Sequence, residues 1–187
     1  MKNLTATAVT QVTVADFKRS VHILETEADD DVLIADLIAV AVAVVEDGTA
    51  HPMAAADYEF SLPGGRWCQW WFPVRPVNSL TSVEVQGSDG EWSPLDLEDA
   101  YVLTEYDEPR LVVGEALAAE ICTARAARVT ASVGGAPVRQ QRQAILMMVR
   151  EWFNAGISAD EAEKVELTFA IRNLMDQCRY RRPRVTG

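Results

Sequence analysis

The sequence predicts an α+β protein: a bundle of about four helices from the N- and C-terminal parts, with a β-rich insertion between them. Three observations carry this expectation. Apolar residues recur at helical spacing near both ends; the middle changes to short alternating runs punctuated by Gly and Pro; and Val32 to Val45 is apolar except for Asp36. The divisions that follow are an arm over 1–13, helical parts over 14–53 and 132–178, the insertion over 54–131, and a basic tail over 179–187.

The arm is threonine-rich and lacks a helical period, so it reads as extended. Val14, Phe17, Val21 and Leu24 then recur at three and four, the spacing of a short amphipathic helix that Thr13 can cap. Acidic residues over 25–31 break the pattern. Asp29, Asp30 and Asp31 open a second helix over about 30–46, where negative charge complements the positive end of the helix dipole. This helix is apolar nearly all round and therefore needs cover on several sides, from its own fold or from a neighbouring subunit. Gly48 is the expected stop, and His51-Pro52 the exit.

Strands are expected from about Ala54 to Ala131. Tyr58-Glu59-Phe60 alternates, Leu62-Pro63-Gly64-Gly65 is a turn, Trp67 to Phe72 is an aromatic run, and Val83 and Val85 flank Glu84 before the turn Gly87 to Gly90. Pro73 and Pro76 suit a sheet edge or crossover. Tyr101 to Thr104, Arg110 to Val113, Glu120 to Thr123 and Arg128 to Val133 complete the set, and their spacing suggests a small antiparallel sheet or sandwich.

Helix returns after Gly134-Gly135. Pro137 suits a first turn, and Ile145, Met148, Val149 and Trp152 form the buried stripe. Asn154-Ala155-Gly156 ends it. Ser158-Ala159-Asp160-Glu161 matches a capping box and starts a fourth helix with Leu167, Ile171, Leu174 and Met175 along one face.

Charge is polarised along the chain. The net value is −11, but residues 1–120 hold 22 acids against 6 bases and residues 121–187 hold 6 acids against 11 bases. Such asymmetry suits head-to-tail contact with acidic neighbours, and the bulk negative charge argues against a protein that wraps nucleic acid. No continuous apolar stretch marks a signal peptide near Met1, so synthesis in the cytoplasm is expected. The 14 residues Val32 to Val45 fall short of the roughly 20 a membrane span needs. Cys68, Cys122 and Cys178 are odd in number and widely spaced, which suggests buried thiols in a reducing compartment and neither a disulfide framework nor a zinc site.

Little in the chain points to catalysis. His22 and His51 lack carboxylate or cysteine neighbours at metal-ligand spacing, and Asp29 to Asp31 lack the spaced ligands and glycine turn of a calcium loop. The glycine pairs at 64–65 and 134–135 belong to no phosphate-binding frame, and no GxSxG is present. No cofactor or metal is expected. Trp70 and Trp71, in their aromatic run, read as sheet core or as anchors of a subunit interface, because base-stacking platforms come with positive grooves. Val40 and Val44 on the apolar helix are the other candidate interface residues. For the tail residues Arg179, Tyr180, Arg181, Arg182 and Arg184 three readings stand: a solvated terminus, a DNA contact, or a docking peptide whose guanidinium forks pair with a partner's carboxylates.

At these residues the chain resembles the head-tail connector, or adaptor, proteins of long-tailed bacteriophages, a family also used by gene transfer agents. The similarity rests on Val14-Ala15-Asp16-Phe17-Lys18, the acidic start and helix from Asp29 to Glu46, Pro73-Val74-Arg75-Pro76-Val77-Asn78-Ser79-Leu80, Ser88-Asp89-Gly90, Asp99 to Leu103, and Pro137 to Phe153. It departs from many relatives at Trp152-Phe153-Asn154-Ala155 and in a larger insertion. The resemblance implies a non-enzymatic neck component of a phage or phage-like particle. It implies a homo-oligomeric ring, expected to be a dodecamer, under the portal protein, with a stopper or other neck or tail protein beyond and DNA passing through without sequence-specific binding. It assigns the tail arginines and Tyr180 to portal docking. The alternatives are a stopper or tail-terminator of the same particle, and a soluble enzyme or ligand-binding domain.

Overall fold

The computed structural model describes residues 1–4, 12–162 and 164–183. The protein is mixed α/β, with six α-helices and two antiparallel sheets among the described residues. Two compact units divide the chain. Among the described residues, a helical unit takes 12–54 and 136–180, and a sheet unit takes 1–4, 55–135 and 181–183.

In the helical unit, α1 spans Val14–Val21 behind the expected cap. The Asp16 amide donates to Thr13 Oγ1 at 3.1 Å, and the Thr13 amide donates back to the Asp16 carboxylate at 3.0 Å. That amide bond, with the Arg142 guanidinium 2.7 Å away, holds the Asp16 carboxyl below its usual range against some opposition from burial. The helix ends at His22, whose left-handed backbone (φ 61°) turns Leu24 out to solvent rather than onto the apolar stripe. Beyond it, the buried ammonium of Lys18 holds the acidic loop by pairing with Asp31 and donating to the Glu27 carbonyl.

Helix α2 (Asp31–Thr49) runs three residues further than its pattern suggested. Gly48 does not stop it. A Cβ there would fall 2.1 Å from Met175 Cε, so glycine allows the close approach of a neighbouring helix, and the stop passes to Ala50 in a left-handed conformation (φ 54°). Helix α4, numbered after the sheet unit's α3 (Glu115–Thr123), is Arg139–Ala155 and closes on left-handed Gly156. The expected single last helix is two. The Ser158–Glu161 contacts start a one-turn α5 (Ala159–Ala162), and α6 (Phe169–Cys178) begins afresh behind Thr168, which is extended (φ −66°, ψ 157°). Ile34, Leu37, Ile38, Ala41 and Val45 of α2 meet Ile145, Met148, Val149 and Trp152 of α4 and Ile171 and Met175 of α6 in one core. The stripe expected on α4 is thus the one buried.

The sheet unit holds β1 (Lys2–Asn3), β2 (Ala56–Ser61), β3 (Gln69–Trp71), β4 (Val77–Gln86), β5 (Trp92–Pro94), β6 (Ala100–Leu103), β7 (Arg110–Val113) and β8 (Ala126–Val133). The larger sheet has the order β1-β2-β8-β4-β5 and the smaller β3-β7-β6. Of the arm expected over 1–13, Lys2 and Asn3 pair with Glu59 and Tyr58 of β2, and residues 5–11 lie outside the described residues. Alternate residues of β8, Ala127, Val129, Ala131 and Val133, are buried, as the period of two requires. Phe60, Trp70 and Phe72 pack edge to face with centroids 5.0–6.0 Å apart.

One expected strand is helix. Glu120 to Thr123 forms the end of α3, where alanine-rich sequence favours helix and Leu117, Ala118 and Ile121 share the buried face. Strand β5 is too short and too polar to stand out in the sequence. It exists because Trp92 and Pro94 pair with Gln86 and Glu84.

Candidate assembly surfaces

Among the described residues, no group of three or more His, Cys, Asp or Glu is placed to hold a metal ion, and no helix is long and apolar enough to cross a membrane. His22 serves as a helix terminus, and His51 is buried beside α2. Of the thiols expected to be buried, Cys178 is, whereas Cys68 and Cys122 are exposed, because neither falls on an inward-facing position of the sheet unit. The carboxyl with the clearest upward shift, Glu46, is pushed up by burial, opposed by the Met53 amide that donates to it and assisted by the negative charge of Asp47. It closes the end of α2.

The expected interface residues fall in different settings. Val40 and Val44 are half-buried on α2, at the margin of the helical core. The same helix leaves Val32 76% exposed, so the cover that its apolar circumference requires is incomplete within the chain. Trp70 is 6% exposed and belongs to the sheet unit's own core. Trp71 is half-buried, with the Arg110 guanidinium 6.0 Å from its ring centroid.

The C-terminal segment is held where the structure describes it. Arg179 donates to the Gly48 carbonyl at 2.7 Å and pairs with Asp176 at 3.3 Å. Tyr180 is 7% exposed, and its amide donates to the Thr49 carbonyl at 2.8 Å. These contacts satisfy carbonyls at the end of α2 that have no partner within the helix. Arg181 and Arg182 are exposed, and Arg182 lies 5.1 Å over the Trp70 ring. Arg184 lies outside the described residues.

Two features of the sheet unit were not legible in the sequence. The turn between β6 and β7 carries Tyr106, 94% exposed with φ 56° and ψ 23°. A cleft of about 330 Å³ at the β5 side of the larger sheet is lined by Trp92, Arg125, Arg128, Leu62 and Ile121. Only a left-handed Tyr-Asp pair in the turn, visible once the backbone is known, distinguishes the first from an ordinary polar loop.

The exposed features of this mixed α/β protein are apolar residues of α2 and α6, a projecting aromatic and a stacked arginine. Its fold is shared with chains of known structure. The chain is similar to a protein in the neck of an empty gene transfer agent particle computed with C6 symmetry (TM-score 0.71, 17% identity). It is also similar to one in the neck of the native particle computed with C12 symmetry (TM-score 0.70, 18% identity). A third likeness is to a chain of the native gene transfer agent virion (TM-score 0.71, 20% identity). Each likeness covers 100% of this chain and 97% of the other. No protein-family model matches the sequence, and no curated protein does.

Proposed function

We propose that this protein is a structural neck component of a phage-like particle: a head-tail adaptor whose copies form a ring, of twelve in our reading, beneath the portal. The ring would extend the DNA channel toward a stopper or other neck or tail protein. Its role is structural and not catalytic. The observation that carries this reading is the likeness of the whole chain to neck proteins, over 100% of its length and 97% of theirs.

Several features support it. The residues before 121 carry a large acidic excess, which suits a channel wall past which DNA phosphates move without sticking. Val40 and Val44 keep part of their surface for a neighbouring copy, and Trp71 does so on the sheet unit. Arg181 and Arg182 supply exposed guanidinium groups for carboxylates of the portal, Arg184 adds a further arginine to the tail sequence, and Arg179 and Tyr180 anchor the segment that presents them.

The test is the mass of the purified protein, alone and mixed with its portal ring, by native mass spectrometry. Stoichiometric binding to the portal is expected even if the free protein is a monomer. A monomer that leaves the portal bare overturns the adaptor reading. Binding to a tail tube or neck ring but not to the portal would instead assign the protein to the stopper or tail-terminator role.

A further inference from the structure

Tyr106 is an unusual residue to find where it is. It and Asp107 both adopt left-handed backbone conformations, φ 56° and 62°, which favour glycine or asparagine over a bulky side chain. The turn is nevertheless braced from both sides. Arg75 pairs with Asp107, and Arg110 pairs with Glu105 at 3.1 Å. The result is an aromatic ring held out in water, 94% exposed, beside Glu108, whose carboxylate has no ion-pair partner among the described residues. A fold that accepts both backbone strain and solvent exposure at one residue is spending stability on presentation.

The cleft has the opposite character. Its floor is Arg128, fixed between Glu59 at 3.0 Å and Glu84 at 2.6 Å, with its guanidinium 4.1 Å over the Trp92 ring. At the rim is Arg125, exposed and without an ion-pair partner among the described residues. A Trp92–Arg128 stack beside the apolar Leu62 and Ile121, with a spare positive charge at its edge, suits an aromatic side chain flanked by a carboxylate.

These two features sit at opposite ends of one strand. Arg75, which grips the turn, lies two residues before the first residue of β4; Gln86, the last residue of β4, is in register with Trp92, and its carbonyl accepts from the Arg125 amide at 2.9 Å. At about 3.3 Å per residue, a strand of ten residues separates the turn and the cleft by roughly 30 Å. One molecule cannot fill its own cleft with its own Tyr106. A second copy can, and a contact between two different surfaces of identical molecules propagates head to tail, closing into a ring when the rotation permits.

We infer that the Tyr106 turn of one copy docks in the Trp92–Arg128 cleft of the next, with Glu108 of the first facing Arg125 of the second. The inference rests on the ring reading and names the contact that builds the ring through the sheet unit. Its partner is a second copy of this chain.

The experiment uses the full-length protein with charge reversals at the two unpaired residues, E108R and R125E, each assayed for assembled mass alone and on the portal. An E108R copy offers arginine at both surfaces and an R125E copy offers glutamate at both. Each variant alone is expected to lose assembly about tenfold or more. Mixed in equal amounts they present opposite charges at every contact, and assembly is expected to return, an outcome that misfolded variants cannot give. The Y106A variant is expected to weaken assembly at unchanged thermal stability. If wild-type protein assembles and both reversals assemble equally well, or if both fail and mixing restores nothing, this contact is wrong while the ring reading stands. If wild-type protein stays monomeric with and without portal, the ring reading fails and this inference falls with it.

Discussion

Gln141 donates from its side-chain amide to the hydroxyl of Thr49 at 3.0 Å, joining the first turn of α4 to the last residue of α2 across 92 positions of sequence. Both side chains are fully buried. The same amide reaches the His51 carbonyl at 3.1 Å, and the Gln141 oxygen accepts from the Val138 amide at 3.0 Å. One side chain therefore bonds two backbone groups and a hydroxyl around the junction of α2 and α4.

Replacing Gln141 with leucine, which has similar volume, removes these three hydrogen bonds, although the Thr49 hydroxyl still donates to the Val45 carbonyl at 2.7 Å. The expected loss is about 1–3 kcal/mol, read as a lower urea midpoint at an unchanged slope. Stability equal to wild type would mean that water or a backbone shift takes over the amide's role.

Glu46 should give the protein a pH-dependent weakness. Burial is the largest influence and raises its pKa, so the folded protein holds the Glu46 proton more tightly than the unfolded chain. Stability therefore falls as pH rises from the ordinary glutamate value through the raised one, and the penalty is complete above it. The Glu46→Gln variant keeps an oxygen for the Met53 amide and removes this slope. It should gain on the wild type as pH increases from 4 to 7, in urea titrations at fixed ionic strength. A constant difference across that range would contradict the assignment.

Aspartate at Val40 or Val44 should abolish ring assembly on the portal. Both side chains also touch the helical core, so a destabilisation of about 1–3 kcal/mol is expected with it. Thermal melts run beside the assembly assay separate the two effects. Intact rings from both variants would remove α2 from the subunit contact.

Truncation of the tail should have different consequences on either side of Tyr180. Removing 181–187 should weaken portal binding and leave the helical unit's melting temperature nearly unchanged. Removing 179–187 also deletes a buried tyrosine and two contacts to the end of α2, and should lower the melting temperature by several degrees. Portal affinity unaffected by the shorter deletion would exclude Arg181, Arg182 and Arg184 from docking.

Local pattern alone determined much of this protein: the polar cap at Thr13, the buried face of α4 and the alternation of β2 and β8 follow from residues close together in the sequence. Those signals are strong because a whole element must obey them at once. What only the tertiary structure decided are the features that depend on a partner far away in the sequence. Gly48 reads as a helix stop until α6 is brought against it. Glu120 to Thr123 reads as a strand until a shared buried face makes it helix, and β5 is a strand only because β4 is there to pair with it. The Tyr106 turn and the cleft beside Arg125 belong to the same class. Each is ordinary as sequence, and their opposition along β4 exists only once that strand runs between them.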